Sequence, residues 1–159
     1  MAKTKPFDNY SEEYDSWFDE NEKAYRSELL AVEEVLPEER GDAVEIGVGT
    51  GRFASQLGIS EGVEPSEPMA ELARERGIEV TEGRAEDLPL GTEAYDLALM
   101  VTTICFVNDL DKTFNEAGRI LREGGQIVVG FVPGNSAIGE FYRSNEADDR
   151  FYEIANFFL

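Results

Sequence analysis

Between Val44 and Ala54 the chain reads VEIGVGTGRFA, with Gly47, Gly49 and Gly51 at alternate positions, Glu45 two residues ahead and Arg52 directly behind. Glycines spaced this way let a backbone turn tightly and come close to a ligand. Two ligand classes use such a loop. A dinucleotide needs G-x-G-x-x-G, so that its pyrophosphate docks on a helix N-terminus. Here the third glycine comes one place early, and Arg52 stands where that pattern wants glycine. Glu45 separates the classes further, because a carboxylate suits an ammonium or sulfonium group and repels a pyrophosphate. The stretch therefore points to a zwitterionic, cationic cofactor.

Other residues that could do chemistry are fewer. The chain has no histidine, so the usual near-neutral general base is missing. Cys105 is its single cysteine and reads as a small core residue; no intrachain disulfide can form, which favours a cytoplasmic setting. Asn108 and Asp109 read as caps of the following helix. Near the amino end, Tyr10, Tyr14, Trp17 and Phe18 admit two readings. They form either an apolar stripe that docks a leading helix, or a lid whose aromatic faces attract a cation. Tyr10 and Tyr14 share one helical face at i, i+4.

The elements that must position these residues alternate in type. A leading helical segment is broken around Asp19 to Glu22, and its second half puts Tyr25, Leu29, Val32 and Leu36 on one face before Pro37. Strands follow at AVEIG, GVEP, GIEVTEG, YDLALMVTTICF and QIVVGFV. Helices lie between them: RFASQL closed by Gly58, the stretch after Ser66 ending at Gly77, and DLDKTFNEAGRILRE ended by Gly124 and Gly125. Ser66 is a candidate N-cap. Alternation of this kind predicts an α/β fold with a doubly wound, mostly parallel sheet. YDLALMVTTICF, apolar throughout, is the expected central strand.

In this register the sequence resembles the class I S-adenosylmethionine-dependent methyltransferases from about Asp42 to Phe131. VEIGVGTGRFA looks like their first motif, E/D-x-G-x-G-x-G, and GVEPSEPMAELARERG like the second. GRAEDLPL is similar to the adenine-binding stretch, and EAGRILREGGQIVVGF matches the family's helix, double glycine and fifth strand. The resemblance implies a Rossmann-like fold that binds S-adenosylmethionine, with S-adenosylhomocysteine as product. Its implied cofactor contacts are Glu45, Gly47, Val48, Gly49, Thr50, Gly51 and Phe53 from the first motif. Glu64, with Pro65, Ser66 and Met69, comes from the second. Ala85 with Glu86 or Asp87 faces the adenine, and Val101 and Thr102 end the fourth strand. Glu64 would hold the ribose hydroxyls, which also suits the chemistry, because a vicinal diol wants a paired acceptor. On the acceptor side stand Tyr142, the amino-terminal aromatics, and Thr103 and Phe106 in the segment after the fourth strand, where many relatives acting on small molecules carry histidine.

The totals limit the partners. Thirty-four acids against 14 bases give a formal charge of −20, which disfavours nucleic acid and anionic membranes. Scarce lysine (Lys3, Lys5, Lys23 and Lys112) would also suit work in high salt. No apolar run approaches the roughly 20 residues of a membrane span, and MAKTKPFDNYSEEY carries no secretory apolar region. The expectation is a small-molecule methyltransferase. A non-catalytic cofactor-binding module and, more remotely, a nicotinamide-dependent oxidoreductase are the alternatives. Residues 1–40 form the leading helical segment, 41–132 the cofactor core, and 133–159 the start of a substrate cap. The family's sixth and seventh strands are missing, and FYEIANFFL reads as an entry to more protein. Truncation is one expectation; a compact form that completes its sheet edge as a homodimer is the other.

Overall fold

A computed structural model describes residues 3–143 and 151–158, leaving aside the side chains of 141–143. Three helices lead: α1 (Lys5–Asn9), α2 (Ser11–Glu20) and α3 (Glu22–Val35). The break before Glu22 falls at Asn21, as its sequence context predicts, and a second break falls at Tyr10. Then come β1 (Ala43–Ile46), α4 (Ala54–Leu57), β2 (Glu61–Glu64), α5 (Glu67–Glu75), β3 (Glu79–Glu82) and β4 (Tyr95–Val101). A 3-10 turn at Ile104–Phe106 leads to α6 (Leu110–Ile120), β5 (Leu121–Gly130) and α7 (Ala137–Arg143).

The five strands form one parallel sheet in the order β3-β2-β1-β4-β5. The order reverses between β1 and β4, so a crevice opens beyond the carboxyl ends of those two strands. Alternate residues of β4 serve opposite faces. Leu97 and Leu99 pack with Phe18, Val32, Leu36, Phe53 and Leu57, while Ala98 and Met100 pack with Val44, Ile46, Ala117 and Ile120. Leu97, Leu99 and Met100 are fully buried, and each stabilises the fold by about 1.5–3 kcal/mol of transfer free energy. This two-sided burial is why the strand carries no alternation.

Two local expectations are corrected. Gly124 and Gly125 do not end α6. The helix stops at Ile120, and Leu121 already pairs with Tyr95; the register then shifts, so that Leu97 pairs with Gln126. Gly124 has φ +81°, and a Cβ on Gly125 would lie 2.9 Å from the Arg122 carbonyl, so the glycines serve an irregularity inside β5. Ser66 holds the N-cap position of α5, but its hydroxyl makes no cap bond; its backbone N–H donates to Glu64 Oε1 at 3.1 Å. Asp109 caps α6 as its residue type predicts, with Oδ1 accepting from Lys112 N–H at 3.0 Å.

Candidate functional site

The crevice at the sheet's reversal point holds the glycine loop, whose three glycines do three different jobs. All have positive φ, a conformation that side chains rarely adopt. A Cβ on Gly47 would lie 2.5 Å from Thr103 Oγ1, so Gly47 admits a side chain of this same protein. A Cβ on Gly51 would meet Ala73 Cα at 3.2 Å, so Gly51 brings the loop against α5. Gly49 alone of the three is uncrowded: a Cβ built there would make only ordinary contacts, with Met69 Cε at 3.6 Å and Tyr14 Cε1 at 4.0 Å. Gly47 and Gly49 both border the crevice, and of the two Gly49 is the less crowded by this protein's own side chains.

Two chambers meet at this loop. The smaller, about 90 Å³, is bounded by Glu64, Pro65, Met69, Ala85, Glu86 and Thr103, among others. The larger, about 490 Å³, is bounded by Glu45, Val48, Thr50, Phe53, Trp17 and Phe18, together with Glu13, Glu20 and Glu28. Tyr14, Gly47, Gly49, Val101, Thr102 and Phe106 border both, so they form the passage between the two. Thr102 has φ +53°, a strained conformation for a threonine, at the end of β4 beside that passage. Thr103 Oγ1 donates to the Ile46 carbonyl at 3.2 Å and so pins the segment to β1.

The carboxylates are set by burial. Glu45 is 1% exposed, and its Oε1 has no hydrogen-bond partner. Burial raises its pKa well above the usual range, against the Ala54 N–H, which lowers it. Glu64 accepts from Gly49 N–H at 2.9 Å and from Ser66 N–H at 3.1 Å. Burial outweighs these two donors and pushes its carboxyl up to about 7. Each Glu64 oxygen keeps a second lone pair for a further donor. The Tyr14 hydroxyl is raised by desolvation and then by the charges of Glu64, Glu45 and Glu28. Cys105 is buried, with its thiol pushed up to about 12 by desolvation, which fits a core residue.

Some expected residues lie elsewhere. Tyr10 borders neither chamber, although Tyr14, Trp17 and Phe18 do. Asp87 is exposed and pairs through its backbone with Arg84, leaving Glu86 on the chamber wall. Glu86 Oε1 already accepts from Asn108 N–H at 2.6 Å. Ser66 and Gly51 support the site from behind. Tyr142 falls in α7, but its side chain lies outside the described residues. Phe7, Phe151, Tyr152, Glu13, Glu20 and Glu28 border the chambers without having been singled out. Phe7 stacks edge-on against Tyr14 and Phe106, and Phe151 against Tyr14. The density of aromatics near both ends of the chain was the available signal.

A buried orphan carboxylate oxygen, an uncrowded glycine at the passage and a second carboxylate with spare lone pairs fit the ammonium, the methionine part and the ribose diol of S-adenosylmethionine. Fold and site together define a class I methyltransferase domain. Residues 44–129 match the family described as a methyltransferase domain, and the chain belongs to the S-adenosylmethionine-dependent methyltransferases. A crystal structure from Thermotoga maritima superimposes with a TM-score of 0.91 at 53% identity, covering 96% of this chain and 72% of that one. It is described as an S-adenosylmethionine-dependent methyltransferase and possible histamine N-methyltransferase. A Methanocaldococcus jannaschii protein is 44% identical over 151 residues, 95% of this chain and 73% of its own length. A Mycobacterium tuberculosis protein is 34% identical over 151 residues, and the chain spans 53% of that relative. No helix among the described residues is long and apolar enough to cross a membrane.

Proposed function

We propose that the chain binds S-adenosylmethionine across the two chambers and methylates a small cationic amine. The observation that carries this reading is the buried, partnerless Glu45 oxygen on the larger chamber, whose wall carries further carboxylates. When bound, the cofactor supplies an electrophilic methyl group on a sulfonium. Glu45 accepts from its ammonium, Glu64 from its ribose hydroxyls, and Met69 with Ala85 and Glu86 bounds its adenine. Tyr14, Trp17 and Phe106 line the chambers, where they exclude water and where aromatic rings favour positive charge. No covalent protein nucleophile is needed; holding the reacting atoms in line in a dry site can supply roughly 7–11 kcal/mol.

The acceptor class follows from charge. Glu13, Glu20 and Glu28 wall the larger chamber, and Arg52, the one cation among its described lining residues, is occupied by Asp15 and Asp19. An anionic acceptor would meet four glutamates there against a guanidinium already bonded to two aspartates. An ammonium would meet carboxylates and aromatic faces. Desolvation raises the Glu28 carboxyl, which suits it to receive the proton an amine must lose before its lone pair can attack. The description of the Thermotoga maritima neighbour agrees with an amine acceptor.

Radiolabelled methyl transfer across a panel of amines, histamine included, with phenols and carboxylic acids beside them, tests this reading. Labelling of amines is expected, with kcat/KM falling at least about tenfold in Glu28→Gln. Labelling confined to phenols or carboxylic acids would contradict the acceptor class.

A further inference from the structure

Arg52, which stands where a dinucleotide loop would place glycine, is gripped from two elements, α2 and α3, and its partner Asp15 is held from a third. Its Nε donates to Asp15 Oδ1 at 2.9 Å and its Nη2 to Asp15 Oδ2 at 3.0 Å, while Nη1 reaches Asp19 Oδ1 at 2.9 Å. Nη2 also reaches the Asp15 carbonyl at 3.0 Å, so the guanidinium ties α2 by side chain and backbone alike. The Arg52 Cζ lies 5.7 Å from the Phe18 ring centroid, and the Tyr25 hydroxyl of α3 donates to the Arg52 carbonyl. From the end of α5, Arg76 Nη2 donates to Asp15 Oδ2 at 2.8 Å and Arg76 Nη1 to the Thr50 carbonyl at 2.9 Å.

Asp15, Phe18 and Asp19 share one face of α2 by their i, i+3, i+4 spacing, and that face clasps Arg52. Tyr14 and Trp17, beside them on the same helix, border the chambers. Planar two-point bonding of this kind fixes orientation as well as distance. The Arg52 and Asp15 side chains are only 13% and 16% exposed, so water screens their pairing weakly. Burial opposes charge on Asp15, yet bonds from Arg52 and Arg76 outweigh it and hold the carboxyl at about 2, so the network stays ionised at every ordinary working pH.

We propose that Asp15 and Arg52 form a latch that positions Tyr14 over the glycine loop, so that a residue touching no ligand, Asp15, sets cofactor affinity. Asp15 is a positioning residue: it borders neither chamber and acts through the placement of α2. The loop position that dinucleotide binders keep as glycine for close helix–strand packing is here given to holding α2. This role rests on the cofactor reading above.

Calorimetric titration with S-adenosylhomocysteine tests it, run at 25 °C on wild type, Asp15→Asn, Asp19→Asn, Tyr14→Ala and the Asp15→Asn/Tyr14→Ala double variant. The latch predicts Kd weaker by about tenfold in Asp15→Asn, a smaller loss in Asp19→Asn, and a Tyr14→Ala penalty that shrinks in the Asp15→Asn background. Arg52→Lys, which keeps charge but loses the planar fork, should weaken binding like Asp15→Asn. If Asp15→Asn does not fold, Arg76→Gln, which removes one arm from the same carboxylate, carries the same cycle with Tyr14→Ala. A purely structural network would lower the melting temperature, leave Kd within twofold and give additive penalties; that result overturns the latch. A wild-type protein that ignores S-adenosylhomocysteine overturns the cofactor reading itself, and the latch with it.

Discussion

Glu64 is where burial and hydrogen bonding pull hardest against each other. Desolvation raises its carboxyl to about 7, the Ser66 and Gly49 N–H groups lower it, and the charge of Asp8 raises it slightly. Between its usual 4.5 and about 7, the native protein holds a proton that the unfolded chain has released. Stability of the empty protein therefore falls as pH rises through that window, since the native state binds more protons there. Ligand hydroxyls favour the ionised form, so the affinity for S-adenosylhomocysteine should rise from pH 6 to pH 8, with proton uptake by buffer on binding. Calorimetry in two buffers of different ionisation heat reads that proton. Glu64→Gln should bind weakly and with a shallower pH slope, since Glu45 keeps its own raised carboxyl; an unchanged slope in that variant would move the titration to another group. The carboxylates themselves were legible, because Glu45 and Glu64 end strands beside glycine and proline signals. Their burial was not, since it is set by the folded sheet, in which β1 lies between β2 and β4.

At the scale of elements, the alternate glycines separate into packing and ligand roles. Gly47→Ala and Gly51→Ala add a Cβ against Thr103 and Ala73, on top of left-handed strain, and should each cost about 2–4 kcal/mol in urea denaturation. Gly49→Ala meets only ordinary contacts and should cost about 1–2 kcal/mol, the strain alone. The order should reverse for S-adenosylhomocysteine affinity, where Gly49→Ala loses most relative to its effect on stability. Equal stability costs at all three positions would contradict the separation. Strand and helix order was readable because hydrophobic period and punctuation agree along the chain. The partners of Gly47 and Gly51 were not, for Thr103 and Ala73 meet them only in the folded sheet. Gly124 and Gly125 misled for the same reason: a double glycine after a helix reads as a stop, yet pairing of Leu121 with Tyr95 carries it into the strand. Arg52 was visible only as a missing glycine. Its grip on Asp15 and Asp19 could have been sought from their i, i+4 spacing, but charges on a strongly acidic chain read first as a solvated face.

For the whole molecule, a formal charge of −20 and a carboxylate-lined crevice agree in sign and argue for a cationic ligand pair. The sheet order puts that crevice at the reversal between β1 and β4, and the leading helices and residues 151 and 152 bring aromatics over it. The same crevice in the same fold class serves dinucleotides in other proteins; here the family match speaks against one, and so does the loop chemistry, with Glu45 buried beside the larger chamber and Arg52 bonded to Asp15 and Asp19. Side-by-side calorimetric titration of the wild-type chain with S-adenosylhomocysteine and with NAD decides the matter most directly. One-to-one binding of S-adenosylhomocysteine, weakened by roughly tenfold or more in Glu45→Gln and with no heat from NAD, is the predicted result. Binding of NAD with silence toward S-adenosylhomocysteine would contradict the account.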